Sequence, residues 1–405
     1  MKSVALPAAG SGRQGRRGRQ SPQSRRAARR AAAALVATGL LAGACATETQ
    51  SPQVPAAGTG SGGLSGVCPD PIVIQAGWWP EAEHGAIYGL LGDEYTVDTE
   101  GLRVTGPLVA GDEDTGVAVE IRAGGPAIGF QLPSAALYAD DAITLAAVAT
   151  DEAVSVSAAT PVLSVAATLD IFPVMIMWDP ETYPQFNTVV DIGASDTTVL
   201  YFQDAPYMEY LIQSGILKRE QVDGSYDGSP SRWVAENGAI AQQGFATNEP
   251  YVYENELTAW RKPVRMQLIH HLGYQVYDTL AIRAGQKEEL AACLQRLVPM
   301  VQQSLADYVQ NPAATNDLIV ELAGAYGGFA YSPENAQYAV EQMLRLEIVG
   351  NAENDTLGDF NTDRVAEVIG IVSPIYTAQR REIRADLAVA DIATNEFIDP
   401  EIGLP

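Results

Sequence analysis

Gly77-Trp78-Trp79-Pro80-Glu81-Ala82-Glu83-His84-Gly85-Ala86-Ile87-Tyr88 follows an alternating apolar run, Ile72, Ile74 and Ala76, that predicts a half-buried strand. Pro80 suits the first position of a helix, and Glu81 and Glu83 suit its electropositive first turn. His84 and Tyr88 are four residues apart and so share one helical face, with Glu81 one turn before His84. A strand that ends in two tryptophans and opens into a helix carrying His and Tyr predicts a stacking pocket for a flat, hydrogen-bonding ligand. Core packing is the competing use of the same aromatics.

Outward toward the N-terminus the chain reads as delivery apparatus. Nine Lys and Arg residues precede Cys45, and no acid occurs before Glu48. The apolar segment 31–44 is too short for a stable membrane anchor, and a basic region followed by a short apolar one predicts an export signal over residues 1–44. It ends Leu41-Ala42-Gly43-Ala44-Cys45, which resembles a bacterial lipobox and makes Cys45 the expected lipidation site. Ser24-Arg25-Arg26 leaves general secretion and twin-arginine export both open. Residues 45–67, rich in Ala, Gly, Ser, Thr, Pro and Gln, are expected to form a flexible tether. The expected location is the outer face of the cytoplasmic membrane.

Loss of the signal leaves 16 basic residues against 50 acidic ones, a net charge of about −34. Such a surface repels nucleic acid and anionic headgroups, and lowers the expectation of an anionic ligand. Cys68 and Cys293 have no metal-type spacing. Cys293 shares a helical stripe with Leu290, Leu294, Leu297 and Val301, which predicts a buried thiol, and an export compartment equally permits a Cys68–Cys293 disulfide. Only Lys218, Lys262 and Lys287 remain beyond the signal.

The remainder exceeds one comfortable core and predicts two lobes. Strands are expected at 117–122, 143–150, 162–167, 197–202 and 240–245, and a buried apolar run at 172–178, with Gly124-Gly125 placed to allow close backbone approach to a ligand. Helices are expected at 208–212, from Ser229-Pro230, from 249, over 286–309 with a kink at Pro299, from Ser332-Pro333, and from 362 toward Pro374. The fold class expected is α/β, with helices returning from the C-terminal part to pack on the first unit.

The pattern Trp78-x-Pro80-x3-His84-x3-Tyr88 after a first strand resembles the signature of solute-binding proteins for thiamine pyrimidine precursors. These group with nitrate, sulfonate and riboflavin binders of bacterial ABC importers and with fungal pyrimidine synthases. Gly244-Phe245-Ala246-Thr247-Asn248-Glu249-Pro250-Tyr251 resembles the segment by which that family's second lobe reaches the cleft. The resemblance, spanning about 69–395, implies a two-lobed type II periplasmic-binding-protein fold with mixed sheets flanked by helices and ligand in the cleft between lobes. Lobe one would be 69–170 plus 278–405, and lobe two 171–277, with 273–278 as the returning hinge strand.

Carried onto this chain, the resemblance assigns Trp78 to stacking and His84 and Tyr88 to hydrogen bonds with ring nitrogens or an amine, leaving Trp79 to the core. Glu249 would accept from a ligand amino group, capping of its own helix being the alternative. Asp196 and Tyr251 are further candidates, and His270 and His271 are expected in the hinge segment with a solvated or core role. The ligand implied is a neutral or cationic N-heteroaromatic, thiamine-precursor-like or flavin-like, with nitrate or a sulfonate as the alternative. Partners implied are an ABC permease and its ATPase, the protein itself being a monomer. No cofactor or metal is implied. A pyrimidine-synthase-like enzyme is disfavoured, because the chain has neither a cysteine cluster nor a lysine near the Trp-Pro-His-Tyr segment.

Overall fold

β1 (Ile72–Gln75) is buried along its whole length rather than on one face, because parallel neighbours flank it on both sides. The polar member of the strand, Gln75, donates to the carbonyls of Ala76 at 3.1 Å and Ala123 at 2.9 Å, which is how an amide survives there. The computed structural model describes residues 63–405 apart from Asp112 and Phe329. The expected export signal, Cys45 and most of the tether lie outside the described residues. Residues 63–67, read above as the tether's end, are docked. Leu64 is fully buried, its N–H donates to the Thr115 carbonyl at 2.8 Å, and Arg296 donates to Gly63 O at 2.7 Å.

After β1 come β2 (Thr96–Asp98), β3 (Arg103–Ala110), β4 (Glu113–Arg122), β5 (Ile143–Ala149) and β6 (Val162–Leu169). A second run holds β7 (Val174–Trp178), β8 (Val199–Leu200), β9 (Val222–Asp223), β10 (Ala241–Phe245) and β11 (Arg265–Leu268), before β12 (Asp278–Arg283) returns. A seven-stranded mixed sheet has the order β2-β3-β4-β1-β5-β12-β6, and a five-stranded one β11-β7-β10-β8-β9. The chain passes between the sheets twice, over residues 170–173 and 269–277. The expected hinge strand at 273–278 is irregular until Asp278, where pairing with both β5 and β6 begins.

The C-terminal part is helical as its apolar stripes require. Lys287–Gln310 runs through Pro299, and its Leu290, Cys293, Leu294, Leu297, Val298 and Val301 are buried. Cys293 is disulfide-bonded to Cys68 (S–S 2.04 Å), so the two uses left open above resolve to a buried half-cystine. Ala313–Tyr326 and Pro333–Arg345 follow, the latter capped by Ser332, whose Oγ accepts from Asn335 N at 3.1 Å. Thr362–Ala378 packs against both Thr150–Ser155 of the first sheet's layer and Pro206–Gln213 of the second's.

Candidate functional site

Parallel pairing of β1 with β4 and β5 brings their carboxyl ends to one edge, and antiparallel pairing sets Asp278 opposite Ala149 at that same edge. Loops beyond strand ends in open α/β sheets build ligand crevices. Four segments meet here: 77–88 after β1, 123–130 after β4, 150–152 after β5, and the start of β12. The second sheet presents the end of β10, residues 245–249.

The segment after β1 forms a short 3-10 helix, Ala82–His84, and then a single helical turn, Gly85–Tyr88, instead of one helix. Trp79 is buried with its ring against Gly328, while Trp78 stays half-buried. The ring of Trp78 lies on Gly125, which has φ +56° and where a Cβ would fall 2.2 Å from it. The Gly124-Gly125 pair therefore seats Trp78, rather than bringing backbone against a ligand as the sequence suggested. Phe130, largely exposed, sits 5.9 Å from Trp78 between ring centroids.

Glu81, Glu83 and His84 are buried. Glu83 Oε1 accepts from Thr247 Oγ of the second sheet's segment, whereas Glu83 Oε2 and His84 Nδ1 have no hydrogen-bond partner among the described residues. Burial lowers the His84 pKa to about 4, so its imidazole is neutral at neutral pH. Tyr88 is fully buried with its hydroxyl unpartnered among the described residues, beside Tyr326 and Glu81, deeper in the core than the open edge.

Glu249 accepts from Phe245 N at 2.7 Å and from the Tyr226 hydroxyl at 3.4 Å. It thus caps the end of β10, and its own backbone N–H at the helix start also holds the carboxylate. Asp278 accepts from Thr168 Oγ1 at 3.3 Å, Asp151 from the Tyr274 hydroxyl at 2.6 Å, and Glu152 from Ser134 N at 3.0 Å. Burial, reinforced by the other acids, raises the Glu81 pKa well above the carboxylate range. Burial likewise raises Glu249, Asp278 and Glu152 each to about 7, with Glu83 adding to the first two and Asp151 to the last two. The charges that raise these groups are one another's, and the half-buried members keep contact with solvent.

Trp78, His84 and Glu249 therefore belong to one edge-facing neighbourhood. Asp196 does not: its side chain is fully exposed and pairs with Lys218 at 3.6 Å. Tyr251 packs on Tyr338, 5.4 Å between centroids, where Pro333–Arg345 meets the second sheet's layer. His270 and His271 form a 3-10 turn in the second passage between sheets, His270 partly buried and His271 exposed. In the sequence Glu81 and Glu83 read only as helix-turn acids, and Thr247, Asp278, Asp151 and Glu152 do not stand out as site residues. Their position, just past or just before strands that pair at one edge, was the signal available. Among the described residues no group of three or more His, Cys, Asp or Glu is arranged to hold a metal ion.

A pH dependence follows. Carboxyls raised in the folded state bind protons more tightly there than in the unfolded chain, so they stabilise at low pH, and that stability is lost as pH rises toward and through about 7. His84 and His270, both lowered to about 4, act oppositely, removing stability as pH falls below the ordinary imidazole value. Three carboxyls titrating near neutrality outweigh two imidazoles that begin to cost only below about 6.5. The ligand-free protein is expected to melt several degrees higher at about pH 6 than at about pH 8. A melting curve that is flat or rising over that interval contradicts the charge arrangement.

No family model matches the chain, and no curated protein matches it. Among solved structures it is similar to the periplasmic aliphatic sulphonate binding protein SsuA from Escherichia coli, at 13% identity and TM-score 0.52, covering 84% of this chain and 94% of that one. It is also similar to the alkanesulfonate-binding protein SsuA from Xanthomonas axonopodis pv. citri bound to MOPS (11% identity, 81% and 99% covered, TM-score 0.49). A third is the periplasmic nitrate-binding protein NrtA from Synechocystis PCC 6803 (12% identity, 81% and 92% covered, TM-score 0.41). At these identities the likeness is one of fold, and the chain has the mixed α/β periplasmic-binding-protein fold of ABC-type solute-binding proteins.

Proposed function

We propose that the protein is an extracytoplasmic solute-binding lipoprotein of an ABC importer. It captures a nitrogen-bearing, neutral or cationic ligand, of which a thiamine-precursor-like or flavin-like heterocycle is one form, and hands it to a permease driven by an ATPase. It holds the ligand without transforming it. Lobe one, 69–170 with 278–405, and lobe two, 171–277, close on the ligand about the two passages between the sheets. A lipid on Cys45 keeps the monomer at the membrane, and a disulfide suits that oxidising side. Among the described residues no helix is long and apolar enough to cross a membrane.

The observation that carries this reading is the contact of Thr247 with Glu83. It joins the two sheets' edges beside Trp78 and leaves a buried carboxylate oxygen and an imidazole nitrogen unpartnered among the described residues. Asn335 Nδ2 donates to Asn248 Oδ1 at 2.6 Å, and Ser332 donates to Glu256, so the same two regions also meet further out. An anion fits this edge poorly. At 5 Å and an effective dielectric of 20, each acid that is ionised costs an anion about 3 kcal/mol. A protonated amine gains by the same arithmetic, and a neutral ring N–H gains a hydrogen bond to a charged group, about 1.5–3 kcal/mol.

The direct test is mass spectrometry of ligand released from protein purified without denaturation, followed by a thermal-shift panel. A ligand at 100 times its dissociation constant adds about 2.7 kcal/mol. Trp78→Ala and Glu249→Ala are each expected to weaken that ligand at least about tenfold, a loss of about 1.4 kcal/mol, while the protein stays folded. Shifts confined to nitrate and sulfonates would overturn the preference for nitrogenous cations and heterocycles. Unchanged affinity in both variants would remove the site.

A further inference from the structure

After β4 the chain folds back on itself beside the Trp78 ring. Gly124 N donates to the Trp78 carbonyl at 2.7 Å, which ties this loop to the end of β1. Gly129 N donates to Pro126 O at 3.1 Å and Phe130 N to Gly125 O at 2.9 Å, the paired bonds of a Schellman end. That motif asks for left-handed backbone at one residue, and Gly129 with φ +66° supplies it. Phe130 is left-handed as well, with φ +60°. Among the nine described non-glycine residues with positive φ it is the one aromatic. A bulky side chain is strained there, and the hydrogen bonds of the turn do not require it.

Packing does not account for the strain either. The apolar residue after a Schellman end ordinarily packs back on the start of the last turn. Here those positions are Gly124 and Gly125, which have no side chains, and the Trp78 ring fills the place of the Gly125 Cβ. Phe130 meets Trp78 instead, at 5.9 Å between centroids and 57° between planes, and stays 61% exposed. A ring kept only to close the turn would be covered. Backbone strain that local structure does not require is a feature of ligand clamps. Two rings that hold a third between them stand about 7 Å apart, two contacts of about 3.5 Å. The observed separation falls about 1 Å short, which the exposed Phe130 side chain makes up by turning about its own torsions while Trp78 stays seated on Gly125.

We propose that Phe130 is the movable wall of a two-ring clamp with Trp78, and that the solute carries a flat aromatic ring held between them. This rests on the solute-binding reading above and narrows its ligand class. A compact ammonium ion without a ring leaves the clamp empty. Phe130 thereby determines specificity, its ring being covered only when the ligand is in place.

Thermal shift and calorimetry with protein freed of bound ligand test this. Riboflavin, thiamine and 4-amino-5-hydroxymethyl-2-methylpyrimidine are the flat rings, and choline and octanesulfonate the probes without one. At least one ring is expected to bind at least about tenfold tighter than choline. Phe130→Ala, Phe130→Gly and Phe130→Leu should each weaken that ring at least about fivefold, and Phe130→Tyr should keep it within about twofold. Leu132→Ala, which trims the exposed apolar neighbour, should also stay within about twofold, and an equal loss there overturns the clamp. Without ligand, Phe130→Gly should melt about 2 °C above Phe130→Ala, because both lose the ring and only glycine takes the left-handed backbone freely. Full ring affinity in Phe130→Ala overturns the clamp, and a large fall in its melting temperature would then mark the ring as a cap of the turn. Choline binding as tightly as the rings, or in their place, overturns the clamp and leaves the solute-binding reading standing. Shifts with octanesulfonate alone, or with none of the probes, overturn the clamp together with the preference for a heterocycle.

Discussion

Loss of the Cys68–Cys293 disulfide is expected to lower the unfolding free energy by about 5 kcal/mol, the largest effect of any single covalent change in the described fold. The bond joins residues 225 apart in sequence, so it removes a large share of the unfolded chain's freedom. In the native state it fastens the docked segment at 63–68 to the long helix Lys287–Gln310, at a half-cystine packed among Leu290, Leu294 and Leu297. The check is urea unfolding of three samples: oxidised protein, reduced protein, and Cys68→Ser/Cys293→Ala. Reduced protein and the double variant should agree, and both should unfold well below the oxidised form. A difference under about 1 kcal/mol would mean that the unfolded chain is already held compact around this loop.

The strands that define the sheets were largely readable from their apolar runs: 143–150, 162–167, 172–178 and 240–245 all fall on observed strands. So were the helices begun by Ser332-Pro333 and at Thr362. The edge hairpin of β2 and β3 was not, because Thr96–Asp98 and Arg103–Ala110 interleave charge, Gly106 and Pro107 with short apolar stretches. Ala313–Tyr326 has no sequence signal at its start, which lies among small and polar residues without a capping side chain.

At the site, the same stretch after β1 yielded both a success and a miss. Two adjacent tryptophans leaving a strand point opposite ways, and Trp79 did go to the core while Trp78 stayed at the edge. The role of Gly124-Gly125 could not be read, since its partner is the Trp78 ring and sequence order gives no hint of that pairing. The acids at this edge were equally hidden. Glu83, Asp151, Glu249 and Asp278 are scattered over almost 200 positions and meet only because β1, β5 and β12 are neighbours and β10 approaches from the other sheet. Asp196 shows the converse: a polar turn before a strand looked like a cleft position, yet it precedes β8 and ends in solvent.

Arg364→Ala is expected to cost about 3–5 kcal/mol and to weaken ligand binding without touching the cleft edge. The guanidinium, near the start of Thr362–Ala378, holds both passages between the sheets at once. Its Nε donates to Gln275 O at 2.7 Å and Nη2 to Val276 O at 3.2 Å, while Nη1 donates to Asp170 Oδ1 at 3.0 Å and Nη2 also to the Asp170 carbonyl. The plane lies 3.6 Å over the Tyr277 ring, and the Tyr277 hydroxyl accepts from Asn361 N, the cap of the same helix. Burial raises the Asp170 pKa and Arg364 opposes that rise, so deletion of the cation leaves a poorly solvated acid beside the open carbonyls of Asp170 and Gln275, while the Val276 carbonyl keeps Phe172 N as a donor. Arg364→Lys keeps the charge but cannot reach Asp170, Gln275 and Val276 together, so most of the loss should remain. Asp170→Asn in the Arg364→Ala background should recover part of it, which a double-mutant cycle in urea measures. Because Thr362–Ala378 also packs on Pro206–Gln213, the clamp ties the angle between the sheets to a helix on both layers. With the clamp gone, the two edges sample more arrangements and the closed one is a smaller share of them. Ligand affinity should then fall by that share, with the heat-capacity change on binding growing as the ligand takes over the ordering. An Arg364→Ala protein of unchanged stability and affinity would show that the sheets are positioned by packing alone.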